Sequence, residues 1–143
     1  MGHGLALPLV EFMRAKLTLA GLHVDPITQT GHGRAERLAA LRPDDTLMVF
    51  AFSEDYMRMS TQLQLVAERG TTILLLTDED TLLHNHLPHH VIAIPRDRAR
   101  HGVIVSMTAL CYAIRYDLLQ HRADASRAMR QRIDELHAAG EHA

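Results

Sequence analysis

Residues 46–52 read TLMVFAF and residues 71–76 read TTILLL, and these two runs decide the fold class. Each is a continuous apolar stretch rather than an alternating one. Pro43-Asp44-Asp45 precedes the first and Ser53-Glu54-Asp55 follows it. Gly70 precedes the second and Thr77-Asp78-Glu79-Asp80 follows it. Successive strand side chains point to opposite faces, so an unbroken apolar strand is buried on both. That pattern belongs to parallel sheets covered by helices. Between the runs, Asp55 to Arg69 places Met59, Leu63, Val66 and Ala67 at helical spacing and stops at Gly70.

The alternation continues outward. Val91 to Ile94 (VIAI) reads as a third strand, closed by Pro95. Thr81 to Leu87 is expected to make one or two helical turns, and Asp97 to Arg100 a polar loop. His101 to Arg122 predicts a long helix with Ile104, Met107, Leu110, Cys111, Ile114 and Leu118 on its buried stripe. Ala123 to Ala139 is a final, more polar helix. Upstream, Leu5 to Leu19 carries a helical stripe through Leu5, Leu9, Phe12, Met13 and Leu17, with Pro8 in its first turn and Gly21 as its cap. His23 to Thr28, which contains Pro26, reads as an edge strand. Thr30 to Gly33 is a loop, and Arg34 to Arg42 a short helix stopped by Pro43. Alternating helices and strands predict one α/β domain over 1–143, with a mostly parallel sheet and helices on both faces.

Composition narrows the function classes. The 143 residues are 47% hydrophobic and 22% charged, enough for a sizeable core without staples. One cysteine, Cys111, excludes a disulfide framework and points to a reducing, cytoplasmic setting. A net charge of −2 carries no nucleic-acid footprint. Glu11 and Arg14 interrupt any leader-like pattern near the start. Val103 to Ile114 is free of charge but falls short of the ~20 apolar residues that span a bilayer. A soluble protein without a membrane partner is expected.

In open α/β sheets, ligands bind at the C-terminal ends of the strands. Four candidates lie there or beside a helix start. Ser53-Glu54-Asp55-Tyr56 follows the first strand. Ser53 could cap the next helix, and the helix's free N–H groups could hold an anion, although Glu54 and Asp55 would compete with it. Thr77-Asp78-Glu79-Asp80 could orient hydroxyls, bind a cation, or cap a short helix; it lacks the spacing of a calcium loop. His84, His86, His89 and His90 match no zinc signature, so a solvated loop is favoured over a metal site. Gly2-His3-Gly4 allows close backbone approach before a helix, a weak signal alone. No P-loop, nucleophile elbow or Cys–His pair is present, and no cofactor or metal is expected.

The order of these motifs resembles a SIS (sugar isomerase) domain. Gly2-His3-Gly4, Asp45 to Ser53, Ala67-Glu68-Arg69-Gly70 and Leu76-Thr77-Asp78 carry the likeness, over roughly Gly2 to Leu119. Among SIS domains the pattern is nearest to the effector domain of RpiR/MurR-type transcriptional regulators. The resemblance implies a flavodoxin-like, three-layer α/β/α sandwich that binds a sugar or sugar phosphate at its strand ends. It places His3, Gly4, Ser53, Glu54, Asp55, Tyr56, Thr77, Asp78, Glu79 and His101 about the ligand. It also implies a homodimer or homotetramer, with Tyr112, Tyr116 and Leu119 offering an apolar face.

The sequence departs from the family pattern at several points. The first serine of the phosphate turn falls on Ala51, the second is kept as Ser53, and the glycine and threonine positions are Glu54 and Tyr56. The serines expected after Thr77-Asp78 fall on Glu79 and Leu82. A phosphate dianion wants N–H, hydroxyl and Arg donors. Here the turn is acidic, offset only if Arg96, Arg98 or Arg100 folds over it. The central strand that precedes the opening glycines in the family is missing, which predicts a gap in the sheet. The helix-turn-helix domain of the regulators is absent as well, so specific DNA binding is not expected of this chain. Three functions follow from the resemblance: an effector-binding module with a degenerate phosphate site, an aldose–ketose isomerase using Glu54, Glu79 or His101 as base, or an assembly domain that binds no ligand.

Overall fold

The computed structural model describes residues 1–79, 81, 90–95 and 102–140. Its middle layer is a parallel sheet in the order β1 (Thr46–Phe50), β2 (Thr72–Asp78), β3 (His90–Ile94). Thr46 stands opposite Thr72, and Phe50 opposite Leu76. Leu74 stands opposite His90, and Asp78 opposite Ile94. Among the described residues α1 (Leu7–Leu19), α2 (Gly31–Ala39), α3 (Ser53–Glu68) and α4 (Gly102–His121) flank the sheet, and α5 (Ala123–Gly140) packs against α1 and α4. A 3-10 turn, Gly4–Ala6, leads into α1.

Strand alternation sorts the core into two halves. Leu47, Val49, Ile73 and Leu75 face one way and pack with Leu38 of α2 and Met59, Leu63 and Val66 of α3. Phe50 and Leu76 face the other way and pack with Leu9, Val10 and Met13 of α1 and Met107 and Cys111 of α4. Fully burying each large apolar side chain stabilises by roughly 1.5–3 kcal/mol, so the two halves hold the layers together. The three-layer α/β/α arrangement is the one implied by the sequence.

α1 and α4 are further joined by Phe12 and Tyr112, whose rings meet edge to face at 5.0 Å. The ammonium of Lys16, the sole lysine, lies 5.2 Å from the Phe12 ring centroid. α4 is long and apolar enough to cross a membrane by length and composition. In this structure Met107 and Cys111 pack it onto Phe50 and Leu76 of the sheet.

Several boundaries differ from expectation. Residues 23–28 do not form a strand; they run without secondary structure beside Met1 and Gly2. α2 begins at Gly31 rather than Arg34, taking in the expected loop. Gly31 makes this possible, because its φ of +58° suits glycine best. β1 ends at Phe50, while β2 runs on through Thr77 and Asp78, held there by pairing with Ala93 and Ile94. Leu5, expected on the buried stripe of the first helix, is 72% exposed in the 3-10 turn.

The first residue takes a strand-like place. The Met1 amine donates to the Met48 carbonyl at 2.5 Å, and the Phe50 N–H donates to the Met1 carbonyl at 2.8 Å. The Gly2 N–H donates to Ile27 at 3.2 Å on the opposite side.

Candidate functional site

The C-terminal ends of β1 and β2, the start of α3 and the turn after Gly2 meet at one end of the sheet. The Gly2 position explains the approach. A Cβ there would stand 3.1 Å from the Phe50 carbonyl oxygen and 3.0 Å from the Ala6 Cβ, so glycine lets the turn lie against the strand end without displacing either neighbour. Gly4 adopts φ +58° and sends the chain into the 3-10 turn. His3 is fixed between the two glycines in extended backbone.

That placement brings His3 to the first turn of α3. Its Nε2 lies 3.3 Å from Oδ1 of Asp55. Both side chains keep partial contact with solvent. The Asp55 N–H donates to the Phe52 carbonyl at 2.8 Å, which closes the first turn. Phe52, not Ser53, occupies the N-cap position, and no side chain caps the helix. Ser53 is instead the first helical residue, so the capping role considered for it is not the one its backbone takes. Glu54 and Asp55 complement the positive end of the helix dipole, and Glu54 stands 4.0 Å from Arg58 one turn on.

Beneath this turn the strand ends are tied internally. The Thr77 hydroxyl donates to the Ala51 carbonyl at 2.6 Å, fully buried. The Asp78 carboxylate accepts from the Thr81 N–H at 3.2 Å and the Thr81 hydroxyl at 2.8 Å. This is capping geometry, with the side chain of one residue satisfying an N–H three positions later. Both residues are buried, so Asp78 serves local order first. Glu79 is exposed beside it.

Tyr56 packs into the core beside the end of β1. Its ring is almost completely buried with Val49, Ala51 and Met59, and burial raises its phenol above the usual range. The side chain of Ser53 lies outside the described residues, as do Asp80, His84, His86, His89, Arg96, Arg98, Arg100 and His101, and most of the turn expected over 81–87. Among the described residues, no three His, Cys, Asp or Glu side chains come together as metal ligands would. The structure therefore joins His3 to Asp55 and Asp78 to Thr81, and leaves Glu54 and Glu79 at the surface.

Thr81 and the Ala51 carbonyl were not among the residues the sequence singled out for the site. The Asp-x-x-Thr spacing of 78–81 is a legible capping signal. A backbone carbonyl leaves no trace in sequence. An open groove of about 510 Å³ exists elsewhere, lined by Thr46, Thr72, Leu74, His90, Val91 and Ile92. Thr46, Thr72 and His90 begin their strands, so the groove lies at the end of the sheet opposite this site.

No family model and no curated protein matches the sequence. Among solved structures, the chain is similar to the sugar isomerase domain of the RpiR transcription factor from Sphaerobacter thermophilus. The TM-score is 0.81 at 20% identity, over 94% of this chain and 75% of the other. At that identity the likeness speaks for architecture, and it agrees with the parallel sheet and the flanking layers described above. The chain has the fold of a sugar isomerase domain.

Proposed function

We propose that this chain is the effector-binding domain of a transcriptional regulator, taking a carbohydrate derivative at the C-terminal end of its sheet. The observation that carries the reading is the fold shared with the sugar isomerase domain of an RpiR transcription factor. The local chemistry narrows the ligand. Among the described residues Glu54, Asp55, Asp78 and Glu79 lie about the strand ends, with the His3 imidazole against Asp55. A phosphate dianion there would meet carboxylates where it needs donors. A neutral or amino-bearing sugar suits the same groups, since carboxylates accept from hydroxyls and ammonium groups. In this reading His3 and Asp55 contact the ligand directly, and the degenerate phosphate turn no longer grips a phosphoryl group.

A binding role is also favoured over catalysis. An isomerase uses remote binding energy to position the reacting atoms, and the phosphate grip that supplies it is the part this sequence has replaced. Regulation through assembly fits the exposed Tyr112 and Tyr116 of α4 and Ile133 and Leu136 of α5, which a homodimer or homotetramer would cover. A cytoplasmic location and the absence of specific DNA contact by this chain alone belong to the same proposal.

The test is a thermal-shift panel of neutral sugars, amino sugars and sugar phosphates, repeated with Asp55→Asn and His3→Ala. A ligand that binds only the folded state raises the midpoint by mass action. A shift with neutral or amino sugars that both substitutions abolish supports the reading. Shifts confined to sugar phosphates would overturn the ligand class. No shift across the panel, with a folded oligomer in hand, would leave an assembly domain without a sensor.

A further inference from the structure

α5 begins packed on the domain and ends in solvent. Ser126 is buried, and its hydroxyl donates to the Leu19 carbonyl at the end of α1. Met129 is half-buried. Ile133 and Leu136 follow at spacings of four and three, and they are 42% and 74% exposed. Residues three and four apart share one face of a helix. The stripe that seats α5 on α1 thus runs on through a stretch, Gln131 to Gly140, in which no side chain is buried.

The charges along the same stretch are sorted. Arg127, Arg130 and Arg132 come first, and Asp134 and Glu135 follow. Within one helix acids are favoured toward the N-terminus, and a base four residues ahead of an acid is the weaker order for pairing. Arg130 and Asp134 have that order. Arg127 pairs with Asp124, and Glu135 accepts from Gln131 at 2.9 Å. Arg130, Arg132 and Asp134 make no side-chain ion pair with a described residue. The order of charges therefore does little for α5 alone. It suits a neighbouring helix of the same charge order lying in the reverse direction, because bases then stand beside acids in both halves.

One stretch supplies both halves of that match, which is what a twofold axis between identical chains requires. We propose that α5 pairs antiparallel with α5 of a second copy of this chain. Ile133 stands on the axis, Met129 of each copy meets Leu136 of the other, and Arg132 of each lies level with Asp134 of the other. The apolar stripe is covered, and Arg132 and Asp134 gain the partners they lack. The pairing rests on the self-assembly in the proposed function and takes no support from the ligand.

Sedimentation velocity of the full chain reads the assembly, and disulfide trapping reads its geometry. Met129→Cys and Leu136→Cys chains, oxidised as a mixture, are expected to link to one another at least about tenfold faster than either links to itself, because a disulfide needs Cα atoms within about 7 Å. Cys111 is buried and stays out of the exchange. Arg132→Asp or Asp134→Arg alone is expected to weaken dimerisation about two- to tenfold, and the two in one chain to restore it. Leu136→Asp is expected to weaken it at least about tenfold, with an unchanged unfolding midpoint showing that the domain is folded. Self-linking of each cysteine variant would mean parallel helices and would overturn the proposal. A dimer with neither mixed linking nor an effect of charge reversal would overturn it and leave self-assembly through other faces standing. A monomer at every concentration would overturn both.

Discussion

Thr77 and Ala51 tie the ends of adjacent strands by a side-chain-to-backbone bond, with the hydroxyl 2.6 Å from the carbonyl and both residues fully buried. Ordinary ladder bonds stop near this point, where Ala51 still donates to Leu76 at 3.3 Å. The threonine hydroxyl therefore extends the pairing past the regular strand. Thr77→Val keeps the shape and removes the donor. We expect a loss of about 1–3 kcal/mol, the usual cost of a buried acceptor left unsatisfied. Urea denaturation of the two proteins, with an unchanged slope, checks it; a difference near zero would show that the bond adds nothing.

Gly21 ends α1 where α5 crosses it. Its φ is +79°, and a Cβ there would meet the Ala125 Cβ and carbonyl oxygen at 3.1 Å. The Ser126 hydroxyl donates to the Leu19 carbonyl at 3.1 Å beside it. Gly21→Ala combines a left-handed backbone penalty of about 1–2 kcal/mol with a clash that pushes α5 outward. The expected result is a lower melting midpoint together with faster amide exchange in the first turns of α5. Gly140→Ala, which has open space around it, serves as the neutral control.

The buried amine of Met1 makes stability depend on pH in a defined direction. Its folded pKa, near 5, is below the value of 8.0 expected when exposed. The unfolded chain therefore binds a proton below pH 8 that the folded chain refuses until about pH 5. The contribution is fully present above pH 8, falls as pH drops toward 5, and is lost below that. One proton corresponds to about 1.4 kcal/mol per pH unit, or on the order of 4 kcal/mol across the window. N-terminal acetylation keeps an N–H for Met48 and removes the titration. Unfolding free energies of the free and acetylated chains, compared between pH 5 and 8.5, should diverge toward low pH, which also removes the contribution of the histidines common to both.

Cys111 is expected to be inert while the chain is folded. It is wholly buried against Met107 and α1, and burial pushes its thiol up to about 11. The thiolate is the reactive form, so labelling needs both deprotonation and exposure. A thiol reagent at pH 8 should modify it rapidly in denaturant and at least about a hundredfold more slowly in buffer. Equal rates would mean that α4 leaves the sheet readily.

The middle layer was legible because its signal lies in side chains. TLMVFAF and TTILLL announce burial on two faces, and helical spacing between them forces the parallel crossover. What sequence did not show concerns backbone partners. Residues 23–28 read as an edge strand, yet among the described residues their one backbone bond to a neighbour is from the Gly2 N–H to the Ile27 carbonyl, so no ladder forms. The same is true of Ser53. Its residue type suits a cap, but β1 ends early and Phe52 reaches the N-cap position first. Asp78 was read correctly as a capping residue among other options, since Asp-x-x-Thr carries its own hydrogen-bond logic. His3–Asp55 was visible only as two separate motifs, because their meeting depends on how Gly2 packs against Phe50.

α5 leaves the body of the protein soon after Ser126. From Gln131 to Gly140 every residue is exposed, so that half buries no side chain among the described residues. Local pairs remain, such as Gln131 with Glu135 at 2.9 Å, and each is worth only a few tenths of a kcal/mol. Helices this short are marginal on their own in water. Melting should then begin at this tip and travel inward, stopping at Ser126, so that the domain possesses a soft margin that softens well before its sheet does.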